Sequence, residues 1–461
     1  MNYEGSVREL MALGRELAAP RQARVQKFGL ENIKALAAGL GDPHRTVPCV
    51  HIAGTNGKGS TAAMLESLLR AAGLRTGLYT SPHLECINER IRMNGADISD
   101  DEFAALWTRV RASIESLMAA GQLAAHPTFF ECVTAMAFLA FAGAGVDVGI
   151  YEVGLGGRLD ATNIVQPEVV ILTPIDFDHE DYLGHSIEEI AGEKAGIIKQ
   201  GAWVVSAVER SEARAVVVRQ TMELGARLVE VDTVWHLEVL QASDGFYRAA
   251  ATTQGSHKTL WLEPALPGRF QTRNALAAAA AARLLAERGF PVDDAAIERG
   301  IRTVHWPGRL ERIAERPAVY LDGAHNPAGT RGLLQFWEEN FLGRRILLVY
   351  GVMRDKAVDE IAGLLFPRAD CVILTEPRQP RAISAPLLAE MTGHLAKRSI
   401  VLRDPGSALE RALEMASADD VVFATGSLFL VADLRSYWNQ RDALRDASAI
   451  PRISRKPPMM P

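Results

Sequence analysis

VPCVHIAGTNGKGSTAAMLESLLRAAG, residues 47–73, runs from a β-branched stretch through a glycine-rich loop into a helix-forming stretch. Gly54, Gly57 and Gly59 permit tight turns, so several backbone N–H groups can face one anion. Lys58 adds a point charge, and the helix that follows directs its positive end at the same place. By mechanism this is a phosphate-binding loop, P-loop in kind. Its spacing departs from G-x-x-x-x-G-K-[ST], since position 52 is Ile and Gly59 separates Lys58 from Ser60. The alternative is a glycine-rich turn with a solvated lysine. The strand before and the helix after point to ATP or GTP.

Outward from this loop, short β-branched runs alternate with helix-like stretches: VDVGIYEV (146–153), EVVILT (168–173) and WVVSA (203–207). Such alternation predicts an α/β fold with a mostly parallel sheet. From Leu228 to Leu266 the pattern changes to alternating residues with Gly and Asp turns, which predicts a small antiparallel sheet. A second α/β series follows in AVYLDG (318–323), RILLVYG (345–351), DCVILTE (370–376) and DVVFATG (420–426). The switch falls in GIRTVHWPGRLE (300–311), where Pro307 and Gly308 read as a turn or linker. The expected organisation is a domain over 1–299, a second over 300–445 and a loose tail over 446–461.

Composition narrows the classes. The 461 residues carry a formal net charge of −6, with 48% hydrophobic and 23% charged residues, as in a globular protein with a large core. No Lys/Arg run supports a nucleic-acid partner. The longest apolar stretch, Cys132 to Val146, falls short of the roughly 20 residues a bilayer span needs. The start MNYEGSVREL lacks the basic and apolar regions of a signal peptide, and Cys49, Cys86, Cys132 and Cys371 form no CxxC. A cytoplasmic enzyme without a membrane partner is expected.

Each strand-like run ends in a polar, glycine-containing cluster: GTNGKGS, TSPHLE (80–85), EVGLGGRLDATN (152–163), TPIDFDHEDYLG (173–184), DGAHNP (322–327), GVMRDK (351–356), TEPRQPR (375–381) and TGSLFL (425–430). Open α/β sheets bind ligands at the carboxyl ends of strands, so two such edges suggest a site in a cleft between two domains. Glu152, at a strand end before a glycine loop, suits Mg²⁺ held against phosphates; an ordinary strand-terminal acid is the other reading. His179, in an acidic run, reads equally as a ligand or a structural histidine. Ser186 and Glu189 form an S-x-x-E capping box. On the helix it starts, Lys194 lies within about 20° of Ile187, inside the stripe of Ile187, Ile190, Ala191, Ile197 and Ile198. A buried ammonium loses its proton readily, and a neutral amine beside a metal can take up CO₂ as a carbamate. A lysine whose stem carries its head out to water is the alternative.

Taken together, GTNGKGS, TSPHLECINERIR (80–92), EVGLGGRLDATN, DHEDYLG (178–184), EKAGIIK (193–199), PGRLE (307–311) and DGAHNP resemble the folylpolyglutamate synthases and bifunctional dihydrofolate synthase/folylpolyglutamate synthases of the Mur ligase family. The resemblance spans residues 3–435 in consistent order. It implies an N-terminal P-loop ATPase domain, a smaller C-terminal Rossmann-like glutamate-ligase domain, and ATP-dependent ligation of L-glutamate to a reduced folate through an acyl phosphate. Asn56, Gly57, Lys58, Gly59, Ser60, Asn274, Arg309 and Asp322 would contact ATP, with Arg309 at the γ-phosphate. Ser81, Glu152 and His179 would hold Mg²⁺, and Lys194 matches the family's carbamylated lysine. His325 and Ser427 would lie near the incoming glutamate. Phe28, Thr128, Phe129, Phe130, Glu131, Leu159, Asp160 and Ala161 would surround the pteridine end. Lys58, Lys194, Arg309 and His325 would be the catalytic set, in a chain that acts as a monomer on small molecules. Lys27 stands where bifunctional members carry an acid, which bears on dihydropteroate use; it also reads as a solvated helix-end charge. Competing readings are a P-loop kinase or nucleotide switch, a non-catalytic nucleotide-binding module, and an amino-acid ligase acting on another carboxylate.

Overall fold

The computed structural model describes residues 1–14, 29–123, 125–241, 243–255 and 258–449. Phe28 and Lys27 lie outside these residues, as does the tail from 450 onward. The chain forms two compact units. One comprises Met1–Glu311, Asn326–Gly343 and Asp355–Ala357; the other comprises Arg312–His325, Arg344–Arg354 and Val358–Pro461.

The first unit is built on β1 (Cys49–Ala53), β2 (Thr76–Tyr79), β3 (Ile91–Met93), β4 (Ala96–Asp97), β5 (Val148–Glu152), β6 (Val169–Leu172), β7 (Trp203–Ser206) and β8 (Arg227–Glu230). Their order is β4-β3-β2-β5-β1-β6-β7-β8. The six strands from β2 to β8 in that order are parallel, while β3 and β4 add an antiparallel edge. The central strands read as unbroken apolar runs because both faces are covered. Val50, Ile52, Val148, Ile150, Val169 and Ile171 face a core shared with helices Lys58–Ala71 and Phe270–Glu287. Successive strand residues point to opposite faces. Cys49 and Tyr151 accordingly meet helices Asp100–Ala119 and Phe129–Ala144, while Val170 and Leu172 meet helices Ile187–Ala195 and Ser211–Glu223. Alanines 275 and 277–282 are buried, letting the helix Phe270–Glu287 lie close to its neighbours.

The antiparallel sheet is smaller than its sequence pattern predicts. It consists of β9 (Trp235–Gln241), β10 (Tyr247–Thr253) and β11 (Leu260–Leu262). The stretch at Leu228 instead forms β8, paired parallel to β7. A half-buried edge strand of a parallel sheet alternates in the same way as an antiparallel one, so periodicity does not distinguish them. The second sheet runs β12 (Glu311–Glu315), β13 (Ala318–Leu321), β17 (Val421–Thr425), β14 (Ile346–Tyr350), β15 (Cys371–Leu374) and β16 (Ser399–Val401), parallel from β13 onward. The helix Asp294–Thr303 crosses position 300, and the units change over at Glu311 and Arg312. The last helix, Leu428–Ala449, carries regular structure past 445. The apolar run 132–146 lies mostly in the helix Phe129–Ala144, and among the described residues no helix is long and apolar enough to cross a membrane.

Candidate active site

Strands β2, β5, β1 and β6 are neighbours and parallel. GTNGKGS, TSPHLE, EVGLGGRLDATN and TPIDFDHEDYLG therefore emerge along one edge, where the onward connections of the adjacent strands β1 and β5, to β2 and β6, turn in opposite directions. Such a switch point opens a crevice for ligands.

The glycines of the loop have steric reasons. Gly54 adopts φ +152, and a Cβ there would stand 1.9 Å from Thr173 Oγ1. Gly57 caps the helix at φ +85, where a Cβ would stand 2.5 Å from Asn274 Oδ1. Asn274 thus lies directly against the loop; its amide donates to Gln271 Oε1 at 2.9 Å, and Gln271 Nε2 reaches Ser60 Oγ at 3.4 Å. Gly59 faces the Trp306 indole. Lys58 Nζ donates to the carbonyls of Gly54 and Thr55 at 3.0 and 3.1 Å. Lys194 Nζ donates to the same Gly54 carbonyl at 3.0 Å. Two ammonium groups therefore converge on one oxygen beside a turn built for anions.

This convergence shows in the charges. Burial, then repulsion from Lys58, pulls Lys194 down to about 7, against the attraction of Asp178 and Asp160. Burial lowers Lys58 as well, with Glu152 and Asp178 opposing. Glu152 ends β5 fully enclosed, and burial raises its carboxyl although Lys58, the Ser81 N–H, Arg309 and Arg90 all favour its charge. Ser81 N donates to Glu152 Oε2 at 3.2 Å. Ser81 Oγ is itself buried without a hydrogen-bond partner. A buried carboxylate beside an unsatisfied hydroxyl is an oxygen-only donor set of the kind Mg²⁺ takes, with phosphates and water completing its shell. Among the described residues no group of three His, Cys, Asp or Glu is placed to hold a metal ion. His179 sits in the left-handed region, φ 53, with Nε2 3.9 Å from Asp178 Oδ1.

Arg309 is held in a tight turn. Leu310 beside it is fully buried at φ 49, a conformation that costs a branched side chain about 1 kcal/mol or more. Gly308 N is tied to Glu311 Oε2 at 2.9 Å.

The expected pteridine contacts divide by role. Thr128 caps the helix Phe129–Ala144, and Glu131 returns its carboxylate to Thr128 N and Oγ1 at 2.7 and 2.9 Å. Phe129 is buried under the Arg90 guanidinium, 5.2 Å from its ring centre, whereas Phe130 and Leu159 remain partly accessible. Ala161 is buried, and Asp160 accepts from Gly154 N, Leu155 N and Thr162 N, each at 3.0 Å. In the second unit, Asp322 Oδ1 accepts from Ala324 N at 2.9 Å, His325 Nδ1 lies 2.8 Å from Gly323 O, and Ser427 Oγ accepts from Phe429 N at 3.1 Å.

The sequence reading overlooked a network at the phosphate loop. Asn56 and Asn326 exchange amide hydrogen bonds at 3.2 and 3.0 Å. Asn326 Nδ2 also donates to Asp178 Oδ2 at 3.1 Å, and Lys356 Nζ to Asp178 Oδ1 at 2.8 Å. DGAHNP and GVMRDK mark the segments of Asn326 and Lys356, and Asn326-Pro327 reads as an N-cap with Pro at N1. No local signal pairs them with residues more than 140 positions away.

Comparison with known proteins matches this geometry to a family. Residues 52–282 fit the model of the Mur ligase middle domain, and residues 308–428 that of the Mur ligase glutamate ligase domain. Dihydrofolate synthase/folylpolyglutamate synthase of Bacillus subtilis (strain 168) is 37% identical over 414 residues, covering 89% of this chain and 94% of that protein. A probable bifunctional folylpolyglutamate synthase/dihydropteroate synthase of Halobacterium salinarum is 41% identical over 429 residues; the match covers 92% of this chain and about half, 51%, of that longer protein. Mycobacterium tuberculosis folylpolyglutamate synthase complexed with ADP superposes with a TM-score of 0.85 at 34% identity, covering 95% and 98% of the two chains.

Proposed function

The chain belongs to the folylpolyglutamate synthase/dihydrofolate synthase family of Mur ligases, ATP-dependent ligases, and from this we propose that it joins L-glutamate to the γ-carboxylate of tetrahydrofolate. The observation that carries the reading is the gathering of Lys58, Lys194, Glu152 and Ser81 around the Gly54–Gly59 loop at the switch point.

An amine does not displace hydroxide from a carboxylate at a useful rate. The folate γ-carboxylate oxygen attacks the γ-phosphorus, the bond to the β–γ bridging oxygen breaks, and ADP leaves an acyl phosphate. The neutral amino group of glutamate then attacks the acyl carbon. Phosphate departs and the nitrogen gives up a proton. Because two anions meet in the first step, charge must be neutralised where it develops. Lys58 and Arg309 supply fixed positive charge there, and the loop N–H groups hold the phosphates. Asn56, Gly57, Gly59, Ser60, Asn274 and Asp322 make up the rest of the nucleotide site. Ser81, Glu152 and His179 would hold Mg²⁺, which supplies Lewis-acid polarisation of the phosphoryl oxygens. Lys194 serves as its carbamate: the neutral Nζ attacks CO₂, an N–C bond forms, one C–O π pair becomes the carboxylate, and the lost proton passes to water. This exchanges a buried cation for an anion beside Lys58 and removes the repulsion between the two lysines. His325 and Ser427 bind the incoming glutamate. Phe130 and Leu159 offer apolar surface to the pteridine, while Thr128, Glu131, Asp160 and the buried Ala161 set the backbone around it.

A paired assay with tetrahydrofolate and dihydropteroate, each with ATP, Mg²⁺ and glutamate, tests the reading. ADP release that requires both glutamate and tetrahydrofolate, with a product heavier by one glutamyl residue, is expected. ADP release unchanged without glutamate would identify a kinase or switch instead. Extension of dihydropteroate in the second arm would add dihydrofolate synthase activity.

A further inference from the structure

Lys194 stands on the last turn of the helix Ile187–Ala195, and the segment 154–163 is bolted onto the end of that helix. Arg158 N donates to Glu193 O at 2.8 Å, while its guanidinium grips Glu193 Oε1 at 2.7 Å. The backbones approach so closely that a Cβ on Gly157 would stand 2.7 Å from Glu193 O and 2.9 Å from Lys194 O. One on Gly196 would stand 2.4 Å from Arg158 Cβ. Asn163 Nδ2 spans this junction, donating to Arg158 O at 2.9 Å and Gly196 O at 3.1 Å. Lys199 Nζ then donates to Asn163 O and Oδ1 at 2.9 and 2.7 Å. Every polar atom of the Asn163 side chain is thereby committed to a fixed orientation.

The opposite end of the segment is anchored to β1. Thr162 Oγ1 donates to Asp160 Oδ1, so it must accept from His51 Nε2 at 2.8 Å. That requirement fixes the His51 tautomer and leaves Nδ1 as a buried lone pair with no partner, in agreement with Nδ1 having none. Burial holds the His51 imidazole neutral, down to about 3. Three residues further along the chain, Gly54 O receives Lys194 Nζ. The covalent chain and hydrogen bonds thus form a closed ring through β1, the 154–163 segment, the helix end and Lys194.

We propose that Asn163 and Lys199 are positioning residues for Lys194, fixing its helix end so that the amine stays where its carbamate is made and held. The proposal rests on the carbamate reading above. It adds two side chains that touch neither nucleotide nor folate in that reading, and assigns Lys199 a task distinct from that of the reactive lysine five positions earlier. Bracing side chains behind a reactive site characteristically alter its occupancy or activity by about 10–100-fold when removed.

The test labels the full-length protein with ¹³C-bicarbonate and reads the carbamate resonance by NMR, using Lys194→Ala as the blank. Lys199→Met is expected to reduce carbamate occupancy at fixed CO₂. It should also raise the CO₂ needed for half-maximal kcat by about tenfold or more, leaving the KM for ATP unchanged. Lys199→Arg, which retains donors, should restore both. Asn163→Asp, which keeps the acceptors for Lys199 but loses the bonds to both Arg158 O and Gly196 O, should act in the same direction and carries the test if Lys199→Met does not fold. Wild-type carbamate signal in both variants overturns the proposal. Absence of the signal in an active wild-type enzyme removes the carbamate and the bracing role together while leaving the ligase reading intact. Absence of glutamate-dependent ADP release in the wild type is the separate failure of that reading.

Discussion

The strand-end loops of the first sheet and those of the second solve opposite problems. Around Gly54, Lys58 and Lys194 share a carbonyl, Glu152 is enclosed and Ser81 Oγ has no partner, so the charges are unbalanced and poorly solvated. At the ends of β13 and β17, Asp322, His325 and Ser427 are engaged with neighbouring backbone groups. The first edge holds like charges close together, an electrostatically strained arrangement; at the second, these three side chains are held by neighbouring backbone groups. Strain of this kind is tolerated where a bound ligand compensates it.

The largest effect that would sharpen this contrast is at Lys58. Lys58→Ala should lower kcat by about 10²–10³-fold in an ADP-release assay. Loss confined to ATP affinity would break the contrast by making the lysine a binding group only. Next, Lys194→Ala should lower kcat by roughly 100-fold, with partial recovery on adding short carboxylates such as formate. Wild-type rates would rule out the carbamate. Arg309→Ala should slow the chemical step by about tenfold or more and change ATP affinity less, as single-turnover and binding measurements would show.

The strained edge should also respond to pH. Lys194 falls to about 7 in the folded protein from an ordinary 10.5. Between those values the unfolded chain binds the extra proton, so stability from this group rises with pH. Its penalty is complete below pH 7 and disappears toward 10.5. Activity should therefore rise through an apparent pKa near 7, and Lys194→Met should flatten the stability profile over pH 7–10, measured by denaturant titration. The smallest effect is at the satisfied edge. Ser427→Ala removes the hydroxyl that accepts Phe429 N–H and should destabilise the protein by about 1 kcal/mol. A Lys58→Met variant, which removes one of the two ammonium groups that meet on Gly54 O, should instead melt higher than wild type. Equal signs for these two substitutions would erase the difference between the edges.

Local sequence was most informative where one element contains the whole argument. The 47–73 segment combines strand, loop and helix start within one run, and Ser186 caps the helix of Lys194 as the S-x-x-E spacing predicts. The burial of Lys194, 4% exposed, follows from its place in an apolar stripe of period 3.6. Periodicity failed at Leu228, where an edge strand of a parallel sheet has the alternation of a hairpin strand. It was also silent about Asn326, Asp178 and Lys356, whose contacts join distant segments.

From the amino-acid order alone came the α/β architecture, the phosphate loop, the helix caps and the placing of Lys194 in a core stripe, because backbone conformation and helical or strand period act over a few residues. Tertiary structure alone decided that β1 lies between β5 and β6, that two lysines meet on one carbonyl, and that Asn163 and Lys199 close a ring behind them. These depend on which strands pair and how closely backbones approach, and such contacts are selected by the packing of the whole core.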